Sequence, residues 1–415
     1  MVCHRIFYLG VIAGLLTGFS GPLHAGEVLN LHEALDYAKK QNPELRAYRE
    51  NARAAKARVP QAWSLEDPEV GIDFFETPAS SGNPFDTTET RYFVEQKIPI
   101  GKLPAKGKMA GKESLMAEEE LRAKELEILT EVKHAFHDLY FLERRLEINQ
   151  ESRQLLRGYE KVALTKYSTA EGDFQDTLKS SLEISKLEQE ALNLEKEKTA
   201  MRAKLGRLLG RKNGFDFEID LNAHPPKIDL TLEQVKAMAK KNQPALRASR
   251  YAAEAGRAGL SLARQNWLPD LNVGVEYMQR QNAQDAISYR VGMSVPLFGI
   301  WKQRKGVTEA KARWNAARAM EENTSNVLEE ELETAWADWV RSQKTVTLYE
   351  TAALPQARAA VESAKTGYES GKSGFLDLID LQRTLKMTEE NYWQAFVDTE
   401  KAIAHLEFLA GKEEL

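Results

Sequence analysis

Two aspartates near the end of the chain form the most suggestive pair of ionisable residues in the sequence. Asp377 and Asp380 are three positions apart at the predicted start of a helix, so their side chains share one face. Carboxylates grouped in this way could attract cations, as rings of them do in cation channels. Acids are also favoured near any helix N-terminus, because they interact well with the helix dipole. On spacing alone, the second explanation is the stronger.

Two histidines are also three positions apart, on a long predicted helix. His134 and His137 could share a metal ion, but two imidazoles make an incomplete site and the remaining histidines are scattered. Gly101-Lys102 and Gly111-Lys112 lack the upstream glycine and the following Ser or Thr of a phosphate loop. No arrangement of nucleophile, base and acid is evident. We therefore predict no enzyme, no metal site and no cofactor.

The composition narrows the class of protein. The 415 residues carry 57 Lys plus Arg against 62 Asp plus Glu, a net charge of −5 with both signs mixed throughout. This distribution offers no basic surface, so nucleic acid is not an expected partner. A hydrophobic content of 42% argues against a helical membrane protein.

The N-terminus has the three-part pattern of a secretory signal. Arg5 precedes an apolar run over 6–19, a break follows at 20–22, and Ala25 offers a small residue before a cleavage site. We predict a signal peptide over residues 1–25. An uncleaved anchor is the alternative, although the run is shorter than the roughly 20 residues that a span needs. Cys3 lies ahead of the apolar run, so no lipid anchor is expected.

The chain contains an internal duplication. Residues 29–47 recur as residues 230–248, at a displacement of 201 positions. The same displacement relates several later pairs: Tyr167 and Tyr368, Phe174 and Phe375, Asp176 and Asp377, Leu205 and Leu406, and Gly210 and Gly411. Such a constant offset indicates two structural repeats. We predict them over 26–212 and 231–415, with a linker at 213–230.

Each repeat is predicted to contain a helix, two strands, a long helix, a turn and a return helix. The predicted helices span 31–63, 103–166 and 176–209 in the first repeat and 232–265, 302–367 and 377–409 in the second. At 1.5 Å per residue, a long helix reaches roughly 95 Å and each shorter one roughly 50 Å. One long helix could therefore pair with two shorter helices stacked end to end.

The four predicted strands alternate apolar and polar residues, so each has one apolar face. Four strands are too few to close a barrel, and an open sheet leaves bare edges. Helices could cover the sheet in an ordinary soluble α+β protein. Alternatively, several copies could form an outer-membrane barrel, which the aromatic residues predicted near strand ends favour: Trp63, Tyr92, Trp267, Tyr289 and Trp301.

Three segments resemble the TolC-type outer-membrane efflux proteins. The most specific is AKTGYESGKSGFLDLID over 364–380, which is similar to the helix tip of that family. VEQKIPIGK over 94–102 and VPLFG over 295–299 are similar to its passages from strand to long helix. The resemblance implies a mostly α fold with membrane β structure: a homotrimer with a twelve-stranded barrel in outer-membrane lipid, continued by a periplasmic α-helical coiled-coil tunnel.

The resemblance also implies roles for five residues. Asp377 and Asp380 match the gate acids of the family, and in a trimer they would form two rings totalling six carboxylates. Asp176 and Tyr368 match positions whose contacts hold the entrance closed. Where the type member has a latch arginine, this chain has Ser373 beside Lys372, and Lys372 could act as a weaker substitute.

These features together predict a passive exit duct, docked to a periplasmic adaptor protein and an inner-membrane pump. The alternative is a periplasmic coiled-coil adaptor or scaffold without a pore, which would not need the repeated amphipathic strands. The segment between strand and helix favours the heavy-metal efflux branch. Drugs, solvents and secreted peptides remain open as cargo.

Overall fold

The computed structural model describes residues 27–211, 217–220 and 230–414. The predicted signal peptide and most of the predicted linker lie outside the described residues. Strand β1 (Glu27–Leu29) pairs in parallel with β4 (Phe217–Ile219), so part of the predicted linker is a strand that closes a small sheet.

The remaining elements occur in the same order in each half. The first half contains α1 (Leu31–Gln41), α2 (Pro43–Trp63), β2 (Glu69–Phe75), β3 (Glu89–Pro99), α3 (Lys102–Ser168) and α4 (Phe174–Leu208). The second contains α5 (Leu232–Asn242), α6 (Pro244–Gln265), β5 (Asp270–Arg280), β6 (Ala286–Ser294), α7 (Gln303–Leu348), α8 (Leu354–Glu369) and α9 (Phe375–Ala410).

The first helix of each half is broken, so the prediction of continuous helices over 31–63 and 232–265 is wrong. Each break precedes a proline, which disfavours helical backbone in the residue before it. Asn42, before Pro43, is extended (ψ 123°), and its side chain accepts a hydrogen bond from Glu44 N at 2.8 Å. In the second half, the side chain of Gln243, before Pro244, likewise accepts a hydrogen bond from Ala245 N, at 3.4 Å.

Both breaks are fixed to the ends of the return helices. Asn42 Nδ2 donates to Leu208 O at 2.8 Å, and Gln243 Nε2 donates to Phe408 O at 2.9 Å. Gly210 and Gly411 follow in left-handed backbone, and a Cβ at either would collide with the backbone beside the break. Each stacked helix pair is therefore tied to its return helix at one point.

The long helices of the two halves differ. Helix α3 runs unbroken for 67 residues, roughly 100 Å. Its counterpart is interrupted by a π-turn at Tyr349–Ala353, just before Pro355. Proline lacks an N–H and crowds the preceding turn, so one widened turn accommodates it within the helix. Within the described residues, no helix is long and apolar enough to cross a membrane.

The larger sheet has the strand order β2-β3-β5-β6, and every pair is antiparallel. Its register aligns Val70, Val94, Val275 and Tyr289 in one row across all four strands. These side chains are exposed, with Val70 at 72% and Tyr289 at 78%. No helix of the described ranges covers this apolar face, whereas the soluble α+β alternative requires such a cover. Strands β2 and β6 have no outer neighbour in the described part of the chain.

The opposite face of the sheet carries paired charges. Arg290 Nη2 lies 3.1 Å from a carboxylate oxygen of Glu276, and Arg91 Nε lies 3.3 Å from the other. Arg280 Nε reaches Glu89 at 3.1 Å. The sheet thus has one apolar and one charged face, the polarity that a barrel wall between lipid and water requires.

Of the five aromatic residues predicted near strand ends, three lie near the ends of the sheet and two lie within strands. Trp63, Trp267 and Trp301 are exposed and lie in or beside the segments that join the sheet to the helices. Tyr92 and Tyr289 instead lie within β3 and β6.

Candidate gate at the helix tips

The two turns that join α3 to α4 and α8 to α9 lie at one end of the helices. Between them is a buried cluster centred on Tyr368, which is 6% exposed and whose ring lies 5.2 Å from that of Phe375. The other buried members are Leu156, Tyr159, Ala163, Ala364, Leu378 and Ile379. Since α3 and α9 both contribute, this tip cluster joins the two repeats.

The structure brings Asp176 and Tyr368 together, as the resemblance implies. Burial, followed by the nearby Asp176 carboxylate, raises the pKa of Tyr368 to about 12. Burial also raises the pKa of Asp176, with a further contribution from Asp173 and opposition from Lys179. No hydrogen bond of good geometry reaches the Tyr368 hydroxyl in the described residues. At neutral pH the phenol keeps its proton, and the nearby Asp176 carboxylate favours that form.

Asp377 and Asp380 are both exposed on the first turns of α9. Asp377 accepts only a hydrogen bond from Gly374 N, at 3.3 Å, among the contacts within the described residues. Asp380 lies 3.2 Å from Arg383 Nη1. At the equivalent positions the first repeat has Asp176 and Lys179, so only the second repeat has two acids at these positions.

Arg383 is a residue of this site that the sequence analysis missed. It connects Asp380 to α4, because its Nη2 lies 2.5 Å from Glu183 Oε1. Burial would raise the pKa of Glu183, but hydrogen bonds from Arg383 and Lys186 outweigh it and hold that pKa below its usual value. The three-residue spacing of Asp380 and Arg383 was visible in the sequence, whereas the cross-repeat contact to Glu183 was not.

Lys372 lines the same open groove as Asp377 but forms no contact with the other predicted gate residues that the described part of the chain shows. Its side chain is exposed and forms no ion pair with any described residue. Ser373 Oγ donates to Ala364 O at 3.1 Å, which closes the turn between α8 and α9. A different cation, Lys166 from the last turn of α3, donates a hydrogen bond to the backbone carbonyl of Tyr368.

The two histidines of α3 face α9, and each lies close to a group on that helix. His134 Nε2 lies 3.2 Å from Lys401 O, and His137 Nε2 lies 3.8 Å from Glu400 Oε2. The described residues contain no group of three or more potential ligands. Burial lowers the pKa of His137 to about 3 and raises that of Glu400 to about 7, with help from Glu407. Between these values both groups are neutral, so they form no ion pair.

This buried pair makes a prediction about stability. The pKa of Glu400 rises from 4.5 to about 7 on folding, so the native state binds more protons across that interval and loses stability as pH rises through it. At pH 8 the free energy of unfolding of Glu400→Gln, measured with guanidinium, should therefore exceed that of the parent by up to about 3 kcal/mol. At pH 4 the two free energies should differ little. His137 contributes the opposite slope in both proteins. Exposed Glu322→Gln is the control, and an equal effect at both pH values would contradict the assignment.

Sequence comparisons agree with this architecture. Residues 236–412 match the model of the family described as outer membrane efflux protein. The chain is 24% identical to the cobalt-zinc-cadmium resistance protein CzcC of Cupriavidus metallidurans over 400 residues, which cover 94% of this chain and 92% of that protein.

Solved structures share the fold over nearly the whole chain. The outer membrane protein VceC of Vibrio cholerae is 19% identical with a TM-score of 0.77, covering 92% of this chain and 96% of that one. CusC is 16% identical with a TM-score of 0.80, covering 95% and 96%. The predicted fold class is therefore confirmed, and the relatives are channel proteins, not enzymes. The chain therefore resembles the TolC-type outer membrane efflux proteins, in sequence over residues 236–412 and in fold over nearly its whole length.

Proposed function

We propose that three copies of this chain form a passive exit duct in the outer membrane. The observation that carries the proposal is the four-stranded sheet, which exposes an apolar row from β2 to β6 and whose two edges pair with no other described strand. Lipid cannot hydrogen-bond to bare strand edges, so the sheet must close with strands from other copies. Three copies supply twelve strands. The helices then extend from the barrel as a periplasmic tunnel.

The duct would operate with two further proteins. Members of this family are the outer-membrane components of tripartite efflux systems, which also require an adaptor and a pump. We propose that the helix tips dock a periplasmic adaptor and that an inner-membrane pump supplies the energy. Transport would run from the pump to the exterior.

Divalent heavy-metal cations are the cargo that we propose. The support is the similarity to CzcC, whose name records cobalt, zinc and cadmium resistance, together with the acid pair at the proposed entrance. Deleting the gene should lower the tolerated concentration of these metals, and re-expression should restore it. A deletion strain that loses drug tolerance but keeps metal tolerance would contradict this choice of cargo.

The proposed gate is an iris at the tips, with Asp377 and Asp380 forming the charged constriction. Tyr368 and Asp176 would hold the closed arrangement, in which the buried tip cluster is packed. Opening would shift the helices between two packed arrangements rather than unfold them. Lys372, exposed and unpaired within one described chain, could serve the gate only by reaching another copy.

Fractionation distinguishes the duct from the scaffold alternative. A duct should be recovered from outer membranes with detergent, as a heat-resistant trimer on gel electrophoresis. A soluble periplasmic species without detergent-dependent trimers would support the scaffold. Mass spectrometry of the same purified protein tests the N-terminus: we propose that cleavage follows Ala25 and that no lipid is attached, so a lipidated or full-length mass would contradict that proposal.

A further inference from the structure

Lys166 makes an unusual contact at the meeting point of the two repeats. It lies on the last turn of α3, half-buried, and its Nζ donates a hydrogen bond to the backbone oxygen of Tyr368. The same Nζ lies 4.5 Å from the centre of the Tyr368 ring. One ammonium group therefore contacts both the backbone and the ring of Tyr368, the most buried tyrosine at the tips.

The position of the accepting carbonyl makes the contact favourable. Tyr368 lies one residue before the end of α8, where backbone carbonyls lack partners within the helix. Its oxygen also accepts a hydrogen bond from Gly371 N, at 3.1 Å. A positive charge near a helix C-terminus interacts well with the helix dipole, and it attracts an aromatic ring that it faces.

The contact has no counterpart at the equivalent place in the second repeat. The residue equivalent to Lys166 is Gly367, and even a Cβ there would come within 2.5 Å of Ser373 Oγ. A lysine at this position would therefore displace the Ser373 side chain, which closes the turn between α8 and α9. The Lys166 contact thus joins the α3–α4 tip to the α8–α9 tip within one chain.

We propose that Lys166 is the positioning residue of the closed gate: by fixing the end of α8, it keeps Tyr368 beside Asp176. This proposal rests on the proposed gating function. Lys166, on α3, would thus be the cation that stabilises the closed gate, a role for which the sequence favoured Lys372. Helix α8 can move away from α3 only after this contact breaks, so Lys166 sets how often the channel opens without a partner.

Single-channel recording in planar bilayers tests the proposal. Lys166→Met keeps an unbranched apolar stem but removes the charge and the donor, and it should increase the open-to-closed ratio about tenfold or more. Lys166→Arg should stay near the parent ratio, because it retains a cation. Lys161→Met changes an exposed lysine five residues earlier on the same helix, and it should leave the ratio unchanged. A heat-resistant trimer on gels shows that a variant assembles. If Lys166→Met does not assemble, Lys166→Gln is recorded in its place.

The outcomes separate this proposal from the gate itself. An unchanged ratio in the lysine variants, with Asp176→Asn still raising it, would overturn the role of Lys166 and leave the gate standing. Equal opening by Lys166→Met and Lys166→Arg would also overturn it, because packing alone would explain the result. If Asp176→Asn and Tyr368→Phe have no effect, the gate assignment fails. Combining Lys166→Met with Asp176→Asn should give less than the product of the two single effects, since both act through Tyr368.

Discussion

Replacing both Asp377 and Asp380 with alanine should weaken the block of the channel by divalent cations at least about tenfold in planar bilayers. In a trimer the change removes six carboxylates from the proposed entrance. Both side chains are exposed and do not pack in the tip cluster, so the variant should assemble normally. The loss of block should therefore come from lost charge, and it should be smaller at high ionic strength, where screening already weakens the attraction.

The two single variants should not be equal. Asp380 lies 3.2 Å from the Arg383 guanidinium, which offsets part of its charge, whereas among the described residues Asp377 has only a backbone N–H partner. Asp377→Ala should thus reduce cation block more than Asp380→Ala. Glu330→Gln, an exposed acid on α7 away from the tips, serves as the control for a general change in charge. Undiminished block in the double variant would remove both aspartates from the gate.

Placing an arginine on the apolar face of the sheet should prevent assembly of the outer-membrane trimer. Val291 lies in the middle of β6, aligned with Val273, and its side chain is 73% exposed. A charge facing lipid at mid-depth of a barrel costs about 2–4 kcal/mol per substitution, and a trimer would contain three. Val291→Arg should therefore yield little or no heat-resistant trimer in outer-membrane fractions.

The matched control lies on the opposite face of the same strand. Ser288 aligns with Glu276 among the paired charges, so Ser288→Lys adds the same charge where water and a carboxylate can receive it. That variant should assemble at close to the parent level. If Val291→Arg assembled as well as Ser288→Lys, the apolar row would not face lipid and the barrel proposal would fail.

The sequence predicted the parts of the fold that depend on local pattern. Alternation along 70–74 and 271–277 located strands β2 and β5, and the uninterrupted helical pattern located α3 to within two residues at each end. The breaks at Asn42 and Gln243 were missed although Pro43 and Pro244 were visible. The apolar spacing continues across each break, and the partner that fixes it, the end of a return helix, is over 160 residues away.

The sequence predicted those features of the candidate site that lie within one helix, but not the contacts between helices. Asp377 and Asp380 follow from spacing and resemblance, because both lie on one helix. The contacts of Lys166 with Tyr368 and of Arg383 with Glu183 each span about 200 residues. No local pattern marks such pairs in a chain with charges on nearly every helical turn, so Lys372, adjacent in sequence, was the more obvious candidate.

The charged face of the sheet has a consequence for electrical behaviour. Glu89, Arg91, Glu276 and Arg290 form ion pairs among themselves and with Arg280, so this wall of the barrel contributes little net potential to its interior. The acid pair of α9 has no such compensation beyond Arg383. Of these two regions, only the α9 tip would then carry uncompensated charge, at one mouth of the proposed duct. A pore charged at one end only conducts unequally in the two directions, and its current-voltage curve should be asymmetric in salts of divalent cations.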